Sequence, residues 1–599
     1  MRFQDSDLET KAHNLLSLTE PLALISRFSK LTRESGSADE RAAGMYIADR
    51  LRALGVPVTV HEPELYLSIP ERSEVRIVED GSGTIASRPP SFARSTDGEE
   101  VSGELVYVPS TYAGGTADLF DTPMSAARPS IGREAEGDPV AGHIVLTEGY
   151  SMPGTVHAFE RRGAIAQIYI HPGDAIHEGI CTPIWGAPTH ESISRKPRTP
   201  IACVAHADGE RLAALASRGR VRVGVRTWLR EGWSRCLLPV AEIRGTEDPD
   251  EFLLVHGHYD SWYVGIGDNA TGDATLLELA RVLYALRDGL KRTVRIAWWP
   301  GHSTGRYAGS TWFADAFADE IDEWCIAHLN IDSPGCAGAT AYEEVMWMAE
   351  AAELCIDAIG DAINERAKGM RPLRAGDYSF NQIGPTAFFM LLSNIPQAER
   401  AARGYYAVGG CGGRPVWHTP LDALGVEDGD MLTRDLKVYL TAILRVLNAP
   451  FHPFDYEAAV TEIASAVGKY QEHAGSEVDL TPILTDLRLL RTAIGAWRSE
   501  AERRLAAEPR NDALRRRFNA TLRRLARILV PLNYARGERF DHDPAIKLPA
   551  VPRLEAASLV SIAGPTLRPF VRTALVRERN KIRAMLRQAT REVQWSGTA

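Results

Sequence analysis

The sequence predicts an α/β protein: a mixed, mostly parallel sheet with helices on both faces, joined by a β-rich insertion and a helical C-terminal domain. Three observations predict this class. Between residues 236 and 450, continuous apolar runs alternate with helical stretches, as in a parallel sheet covered on both faces. Between 65 and 235, short β-like runs are separated by Gly and Pro turns. From 455 onward, apolar residues recur at helical spacing.

The chain opens with a helical segment. Ile47, Leu51 and Leu54 are four and three residues apart, so they share one face of a helix. Asp39 stands where an N-cap is expected, because its carboxylate can accept from the first free backbone amides. We expect this segment to pack against the predicted sheet.

This packing predicts a discontinuous first domain, made of residues 1–64 and 236–450. Residues 65–235 then form an inserted domain. Its strands include VSGELVYV, GHIVLTEG and RVRVGVRTW, and its irregular, Pro-rich loops are typical of an insertion.

Two apolar stripes mark the helical domain predicted for residues 455–599. The first consists of Ile483, Leu487, Leu490, Ile494 and Trp497, and the second of Phe518, Leu522, Leu525 and Leu529. Because such stripes need cover, we expect a homodimer through these helices. The many arginines between 501 and 540 are interpreted as a solvated helix face rather than as a site for an anionic partner.

Composition excludes several classes of partner. The 599 residues are 44% hydrophobic and 24% charged, with a net charge of −10, which fits a soluble multidomain protein and gives no basic surplus for nucleic acid. No stretch approaches the roughly 20 apolar residues of a membrane span. A charged N-terminus and seven cysteines without CxxC spacing predict a cytoplasmic protein with reduced thiols.

Polar side chains cluster at the ends of the predicted strands and in the loops near them. They are His258 and Asp260 after EFLLV, His302 and Ser303 after TVRIAWWPG, Asp332 after CIAHLNI, Asp268 in GIGDNATG, and His418 in GGCGGRPVWHTPLD. Ligands of open α/β sheets bind outside the carboxyl ends of the strands. Imidazole and carboxylate together suit a divalent metal such as zinc.

These segments resemble a known family. HGHYDSW, GIGDNATG, GHSTGRYAGS, LNIDS and WHTPLD are similar to the motifs of the co-catalytic zinc aminopeptidases, closest to the glutamate carboxypeptidase and transferrin-receptor branch. The resemblance covers nearly the whole chain. It implies a zinc-peptidase-like fold, a protease-associated domain at 65–235 and a dimerisation-like domain at 455–599.

The resemblance also implies roles for single residues. His258 would bind one zinc, Asp268 would bridge two zincs, and Asp332 and His418 would complete the ligands of the other. Asp260 would be a catalytic carboxylate that orients a ligand.

One departure from the family changes the expected chemistry. Where the family has two consecutive glutamates, the first a general base and the second a zinc ligand, this chain has His302 and Ser303. In a first reading, one zinc or other divalent transition metal is bound by Asp268, Asp332 and His418, with His258 nearby, and His302 is the general base. In a second, His302 is a ligand and two ions bind. In a third, the chain is a non-catalytic scaffold or binding protein. Ser303 stays a candidate contact to metal or substrate, although a neutral hydroxyl binds zinc poorly.

A further stretch suggests substrate contacts. RAGDYSFNQIGPTAFF resembles the family's substrate-proximal segment and would bring Asp377 and Ser379 to the pocket. Arg374 and Arg414 are candidates to grip a carboxylate. We therefore expect a metal-dependent hydrolase, similar to aminopeptidases, carboxypeptidases or amidases, that cleaves an amide or peptide bond of a small substrate.

Overall fold

The computed structural model describes residues 3–78, 83–122 and 138–597. The strands, in chain order, are β1 (Val58–His61), β2 (Glu64–Ile77), β3 (Thr84–Ile85), β4 (Val101–Tyr107), β5 (Ile144–Glu148), β6 (Ala166–Ile170), β7 (Ile201–Val204), β8 (Arg222–Arg235), β9 (Leu238–Ile243), β10 (Asp248–His258), β11 (Arg292–Trp299), β12 (Cys325–Asn330), β13 (Tyr342–Met346), β14 (Ala367–Met370) and β15 (Thr386–Phe388).

The helices complete the secondary structure. They are α1 (Ser6–Leu15), α2 (Thr19–Phe28), α3 (Ala38–Ala53), α4 (Pro153–Arg161), α5 (His206–Arg218), α6 (Thr271–Ala285), α7 (Ala308–Ala316), α8 (Ala318–Trp324), α9 (Ala352–Ile363), α10 (Gln397–Ala402), α11 (Gly429–Asn448), α12 (Tyr456–Ala474), α13 (Thr481–Ala507), α14 (Asp512–Tyr534) and α15 (Arg568–Gly597). None of these helices in the described ranges combines the length and apolarity that a membrane crossing requires.

The main sheet has the order β1–β9–β11–β10–β12–β15. Strand β10 runs parallel to both β11 and β12, and β12 runs parallel to β15, whereas β9 and β1 are antiparallel neighbours at one edge. The predicted fold class is confirmed. The carboxyl ends of β10, β11 and β12 therefore meet at one edge of the sheet.

Helices cover both faces of this sheet. Leu253 and Val255 of β10 belong to a core shared with α6 and α11. Their neighbours Phe252 and Leu254 point the other way, into a core with α7 and α8. Side chains of a strand alternate between faces, so the nearly continuous apolar run of β10 reflects burial on both sides.

A second sheet has the order β3–β2–β8–β4–β5–β6–β7. Strands β2 and β8 pair antiparallel along most of their length, from Glu64 opposite Arg235 to Ile77 opposite Val223. This long ribbon leaves the main sheet after β1 and returns just before β9. The ribbon thereby carries β4 to β7, with α4 and α5, to the carboxyl edge of the main sheet.

The start of α3 differs from the expectation. Asp39 lies inside the helix, and Ser37 is the cap: its Oγ accepts from the Glu40 amide at 3.1 Å, while Glu40 Oε2 accepts from the Gly36 amide at 2.7 Å. The arrangement resembles a capping box, except that Glu40 accepts from the residue before the cap instead of from the cap itself. The Asp39 carboxylate instead accepts from the Thr32 amide.

The two apolar stripes of the C-terminal helices are buried within the chain itself. Their most exposed member, Leu522, is 7% exposed. Helix α13 packs against α12 and α15, and α14 packs against α15. These stripes therefore do not need a second chain to cover them, contrary to the expectation, and the homodimer stays a prediction.

Three arginines of α14 correct the interpretation of this region as a solvated face. Arg527 donates to carbonyl oxygens at the end of α8, and Arg523 donates to the Glu323 carbonyl. Arg515 forms an ion pair with the buried Asp248. These guanidinium groups are buried because they satisfy carbonyl and carboxylate groups of the first domain.

Candidate metal centre and its pocket

The carboxyl edge of the main sheet brings the predicted metal ligands together. His258 ends β10, and Asp332 follows β12 by two residues. Nε2 of His258 lies 3.0 Å from Asp268 Oδ1 and 3.8 Å from Asp332 Oδ2. Nε2 of His418 lies 3.0 Å from the other oxygen, Asp268 Oδ2. The Asp268 carboxylate thus stands between two imidazoles.

Both histidines are oriented through their other ring nitrogen. Nδ1 of His258 donates to the Asp260 carbonyl at 2.9 Å, and Nδ1 of His418 donates to the Glu178 carbonyl at 2.9 Å. Hydrogen atoms are assigned to Nδ1 because only a donor can satisfy a carbonyl oxygen. Each Nε2 is then free to bind a metal.

The site contains buried polar atoms that the protein leaves unsatisfied. Nε2 of His258 and Oδ1 of Asp268 are both buried, and neither forms a hydrogen bond with good geometry. A divalent cation between them satisfies both, since neutral imidazole and carboxylate are zinc ligands. The donor set of His258, Asp268, Asp332 and His418 therefore fits a metal.

The carboxylates and imidazoles perturb one another strongly. Burial opposes charge on Asp268, but the His258 and His418 imidazoles, each 3.0 Å from one of its oxygens, hold its pKa well below the ordinary value. Burial also lowers the pKa of His258, yet Asp260 and Asp268 raise it well above the ordinary value. Burial and the charge of Asp268 raise the pKa of Asp332 to about 6. Such dense charge coupling is typical of functional sites.

Asp260 is a buried carboxylate that holds residues next to the candidate metal ligands. Its carboxylate accepts from the amides of His302 (3.1 Å) and Ser303 (2.9 Å) and from the hydroxyl of Ser35 (2.8 Å). Its burial disfavours ionisation, but the neighbouring His258 and these donors lower its pKa to about 2. Asp260 thus fixes the loop after β11 and orients His258 through its carbonyl group.

His302 lies against the candidate ligands. Its ring stacks on that of His258, with centroids 3.7 Å apart. Nδ1 of His302 is 2.9 Å from Asp377 Oδ2, and Asp377 Oδ1 accepts from the Ser310 hydroxyl at 2.7 Å. One ligand atom each from His258, His302 and Asp332 lie within 4.8 Å of one another. His302 is therefore within reach of a metal or of a water beside it.

Several predicted substrate contacts are engaged elsewhere. Arg374 donates to the carbonyls of Tyr378 and Asp543, and Arg414 donates to the Ala337 carbonyl, so neither guanidinium group lines the pocket. Ser379 accepts from the indole of Trp185 at 2.8 Å. We correct these roles to structural ones, and Asp377 becomes a partner of His302.

Ser303 is buried and contributes its amide to Asp260. It does not line the pocket. The described lining of the pocket therefore gives no support for its predicted contact with metal or substrate.

Asn269 was missed by the sequence reasoning. Its Nδ2 donates to the carbonyls of His258 (3.2 Å) and Ile331 (2.9 Å), and its Oδ1 accepts from the Ser333 amide. The side chain thereby ties together the ends of β10 and β12 and the loop that carries Asp268. An Asn that follows an Asp in a Gly-rich loop was the only signal for it.

The pocket above the metal site has walls from both sheets. Tyr150, His171 and Glu178 come from the inserted segment, and Arg306 comes from the loop after β11. Glu178 and His418 exchange two hydrogen bonds, since each donates to the other's carbonyl oxygen at 2.9 Å. The insertion thus helps to hold a candidate ligand, which the sequence did not indicate.

Comparison with known proteins identifies the segment that carries the site. The profile of peptidase family M28 matches residues 240–442. The probable glutamate carboxypeptidase VP8 of Zea mays is 27% identical over 242 residues, which cover 37% of this chain and 32% of that protein. Carboxypeptidase Q of Rattus norvegicus is 32% identical over 124 residues, or 20% of this chain and 26% of that protein. The chain therefore matches only about a third or less of the length of these relatives.

Solved structures share the fold over a larger part of the chain. An aminopeptidase from Aneurinibacillus sp. strain AM-1 superposes with a TM-score of 0.53 at 19% identity, covering 73% of this chain and 95% of that one. BSAP, a zinc aminopeptidase from Bacillus subtilis, gives 0.51 at 18% identity, covering 72% and 95%. At these identities the likeness concerns the fold.

Proposed function

We propose that this chain, whose residues 240–442 belong to peptidase family M28, is a metal-dependent hydrolase that cleaves an amide or peptide bond of a small substrate. The observation that carries the proposal is the pair of buried, unsatisfied atoms His258 Nε2 and Asp268 Oδ1, which lie 3.0 Å apart beside a pocket that Asp268 lines. Unsatisfied buried polar atoms are costly unless a ligand completes them.

Zinc is the proposed metal, held by His258, Asp268, Asp332 and His418. When bound, it supplies Lewis-acid polarisation of the scissile carbonyl and acidifies water. The names of the related and structurally similar proteins support this choice, since one of them is described as a zinc aminopeptidase.

His302 is the proposed general base. Asp377 accepts the hydrogen bond of Nδ1, which leaves the lone pair of Nε2 facing the pocket that His302 lines. An imidazole held in this tautomer can take a proton from water and return it to the leaving amine. Asp377 would also stabilise the imidazolium formed in that step.

A second arrangement has one observation in its favour. The ligand atoms of His258, His302 and Asp332 are close enough to surround one ion, so His302 could replace the missing glutamate as a ligand of a second zinc. A chain that binds no metal would instead be a scaffold.

Metal content per chain decides among these readings. We expect about one zinc per chain in protein purified without chelators, measured by elemental mass spectrometry, together with hydrolysis of simple amide or dipeptide substrates. Asp268→Ala should lose the metal, because Asp268 lies between both histidines. The exposed Asp288, at the opposite end of β11, provides the matched control Asp288→Ala.

The outcomes separate the readings. About two ions per chain would favour His302 as a ligand. No bound zinc after incubation with excess zinc would refute the hydrolase, and full metal content in Asp268→Ala would refute the ligand set.

A further inference from the structure

Arg306 is a buried cation in the pocket wall that has no ion-pair partner among the described residues. It belongs to the loop between β11 and α7, and its side chain lines the same cavity as Asp268, His302 and Asp332. The residue is 4% exposed, and its Nε and Nη2 atoms are buried without a hydrogen-bond partner. Buried arginines are almost always paired, so this guanidinium group needs an explanation.

The backbone of Arg306 is firmly held, which excludes a loose surface loop. Its carbonyl accepts from the Gly186 amide at 2.7 Å. Its guanidinium carbon lies 5.0 Å from the ring centroid of the neighbouring Tyr307. The side chain is thus placed by its own loop and by an aromatic neighbour, while Nε and Nη2 have no hydrogen-bond partner among the described residues.

No carboxylate in the described ranges forms an ion pair with Arg306. The nearby Asp377 is already engaged by His302 and by the Ser310 hydroxyl. The buried Arg374, behind the pocket wall, donates to carbonyl oxygens of Tyr378 and Asp543. Asp268, Asp332 and Glu178 line the same pocket, but among the described residues none of them is ion-paired with Arg306.

We infer that Arg306 binds a carboxylate of the substrate. The inference rests on the proposed hydrolase and specifies its substrate class: amides or peptides that carry a carboxylate close to the scissile bond. A planar guanidinium group recognises a carboxylate through charge-assisted, often bidentate hydrogen bonds. The carboxylate of the bound substrate would then be the counter-ion of the buried Arg306 guanidinium group.

The carboxylate could come from the end of a peptide or from an acidic side chain. Four product-like ligands distinguish these sources: N-acetyl-alanine has only the terminal carboxylate, N-acetyl-glutamic α-amide only the side-chain carboxylate, N-acetyl-glutamate both, and N-acetyl-alaninamide neither. Binding of each to the zinc-treated full-length chain is measured by calorimetry, so that turnover is not needed.

We expect Arg306→Gln to weaken binding of at least one carboxylate ligand by about 10- to 100-fold, because a charge-assisted contact in a desolvated pocket is lost. Binding of N-acetyl-alaninamide should be unchanged, and Arg306→Lys should restore part of the loss. The matched control is Arg287→Gln, an exposed arginine near the opposite end of β11, which should bind every ligand as the wild type does.

Thermal unfolding separates this role from a structural one. Arg306→Gln should unfold at the same or a higher temperature, because it removes an unpaired buried charge. Equal binding of all carboxylates by wild type and Arg306→Gln, or no carboxylate binding by the wild type, would overturn the inference. Absence of hydrolysis would refute the proposed function, while selective loss of carboxylate binding would still support Arg306 as the anion site.

Discussion

His302 is directed at the pocket by Asp377, which accepts from its Nδ1 at 2.9 Å. This contact joins residues that are 75 positions apart in the chain. It turns an ordinary imidazole into one with a defined tautomer, in which the nitrogen facing the pocket is a proton acceptor. The geometry serves a general base, and it equally orients a metal ligand.

Asp377→Asn tests the first of these roles. The amide keeps the shape of the carboxylate but can donate to Nδ1, which favours the wrong tautomer and removes the negative charge. We expect turnover to fall about 100-fold or more, as for loss of general-base catalysis, with bound zinc unchanged. Steady-state kinetics and elemental analysis on the same preparation measure both.

Asp288→Asn provides the control for a lost surface charge. If Asp377→Asn loses zinc along with activity, His302 is a ligand rather than the base. If it keeps full turnover, Asp377 has no part in the reaction.

The sequence indicated the candidate metal ligands better than it indicated the residues that hydrogen-bond to them. His258, Asp268, Asp332 and His418 were identifiable because they follow apolar strands or lie in Gly-rich loops, and the structure brings them together. The hydrogen bond from His418 to the Glu178 carbonyl was not predictable, because it joins the inserted segment to a loop 240 residues later. Likewise, the residues next to Arg306 in the sequence do not indicate that its guanidinium group lacks an ion-pair partner.

Among the secondary-structure elements, the turn before α9 places an unusual carboxyl group. Glu350 is buried and accepts from the hydroxyl of Thr386 on β15 at 3.0 Å. Burial raises its pKa to about 7, with a further contribution from Glu462 and an opposing one from Arg371. The folded protein therefore holds a proton here that the unfolded chain releases at its ordinary pKa near 4.5.

This shift predicts how stability depends on pH. Glu350 makes its full contribution to the free energy of unfolding below pH 4.5. This contribution is lost as the pH rises through 7, because the unfolded state then binds fewer protons than the folded state. Glu350→Gln should remove this loss, so that the variant gains up to about 3 kcal/mol over the wild type between pH 4.5 and 8. Urea unfolding at a series of pH values measures it.

Glu353→Gln is the matched control, an exposed carboxylate three residues further along. Its stability should follow that of the wild type at every pH. Parallel pH profiles for wild type and Glu350→Gln would show that Glu350 titrates normally in the folded protein.

Helix stripes were predictable and helix caps less so. The spacing of Ile483 and its partners predicts an apolar face, and that face is buried. The cap of α3 was placed two residues late because Asp39 is a good capping residue in isolation, whereas Ser37 and Glu40 act as a pair. The sequence could not predict which helices cover these stripes, because apolar periodicity identifies the buried face of a helix but not the element that packs against it.

For the molecule as a whole, one buried carboxylate connects the sheet to the C-terminal helices. Glu251 on β10 binds Arg292 of β11 at 2.8 Å, His452 after α11 at 2.9 Å, and Arg523 of α14. Burial would raise the pKa of Glu251, but His452 and the two guanidinium groups hold it well below its ordinary value. The helices after residue 455 are thus fastened to the same sheet edge from which the site strands begin.

Removing this charge should destabilise the protein. Glu251→Gln leaves two buried guanidinium groups without their counter-ion, and we expect it to lower the free energy of unfolding by about 3–5 kcal/mol at pH 7. The stabilising contribution of Glu251 is present above the ordinary pKa of glutamate and is lost as the pH falls through its depressed pKa in the folded state. The difference between variant and wild type should therefore shrink in acid.

The control for this prediction is Glu247→Gln, which removes a carboxylate that is 41% exposed and lies near the start of the same strand. Its ion pair with Arg515 is partly solvated, so the change should stay within about 1 kcal/mol. Urea unfolding followed by far-ultraviolet circular dichroism, which reports the C-terminal helices, and by tryptophan fluorescence measures both variants.

Because Glu251 joins the sheet to α14, its loss should also separate the two signals, so that the helices unfold at lower urea than the sheet. Coincident transitions at the wild-type midpoint would mean that the apolar contacts of α14 alone hold the two regions together.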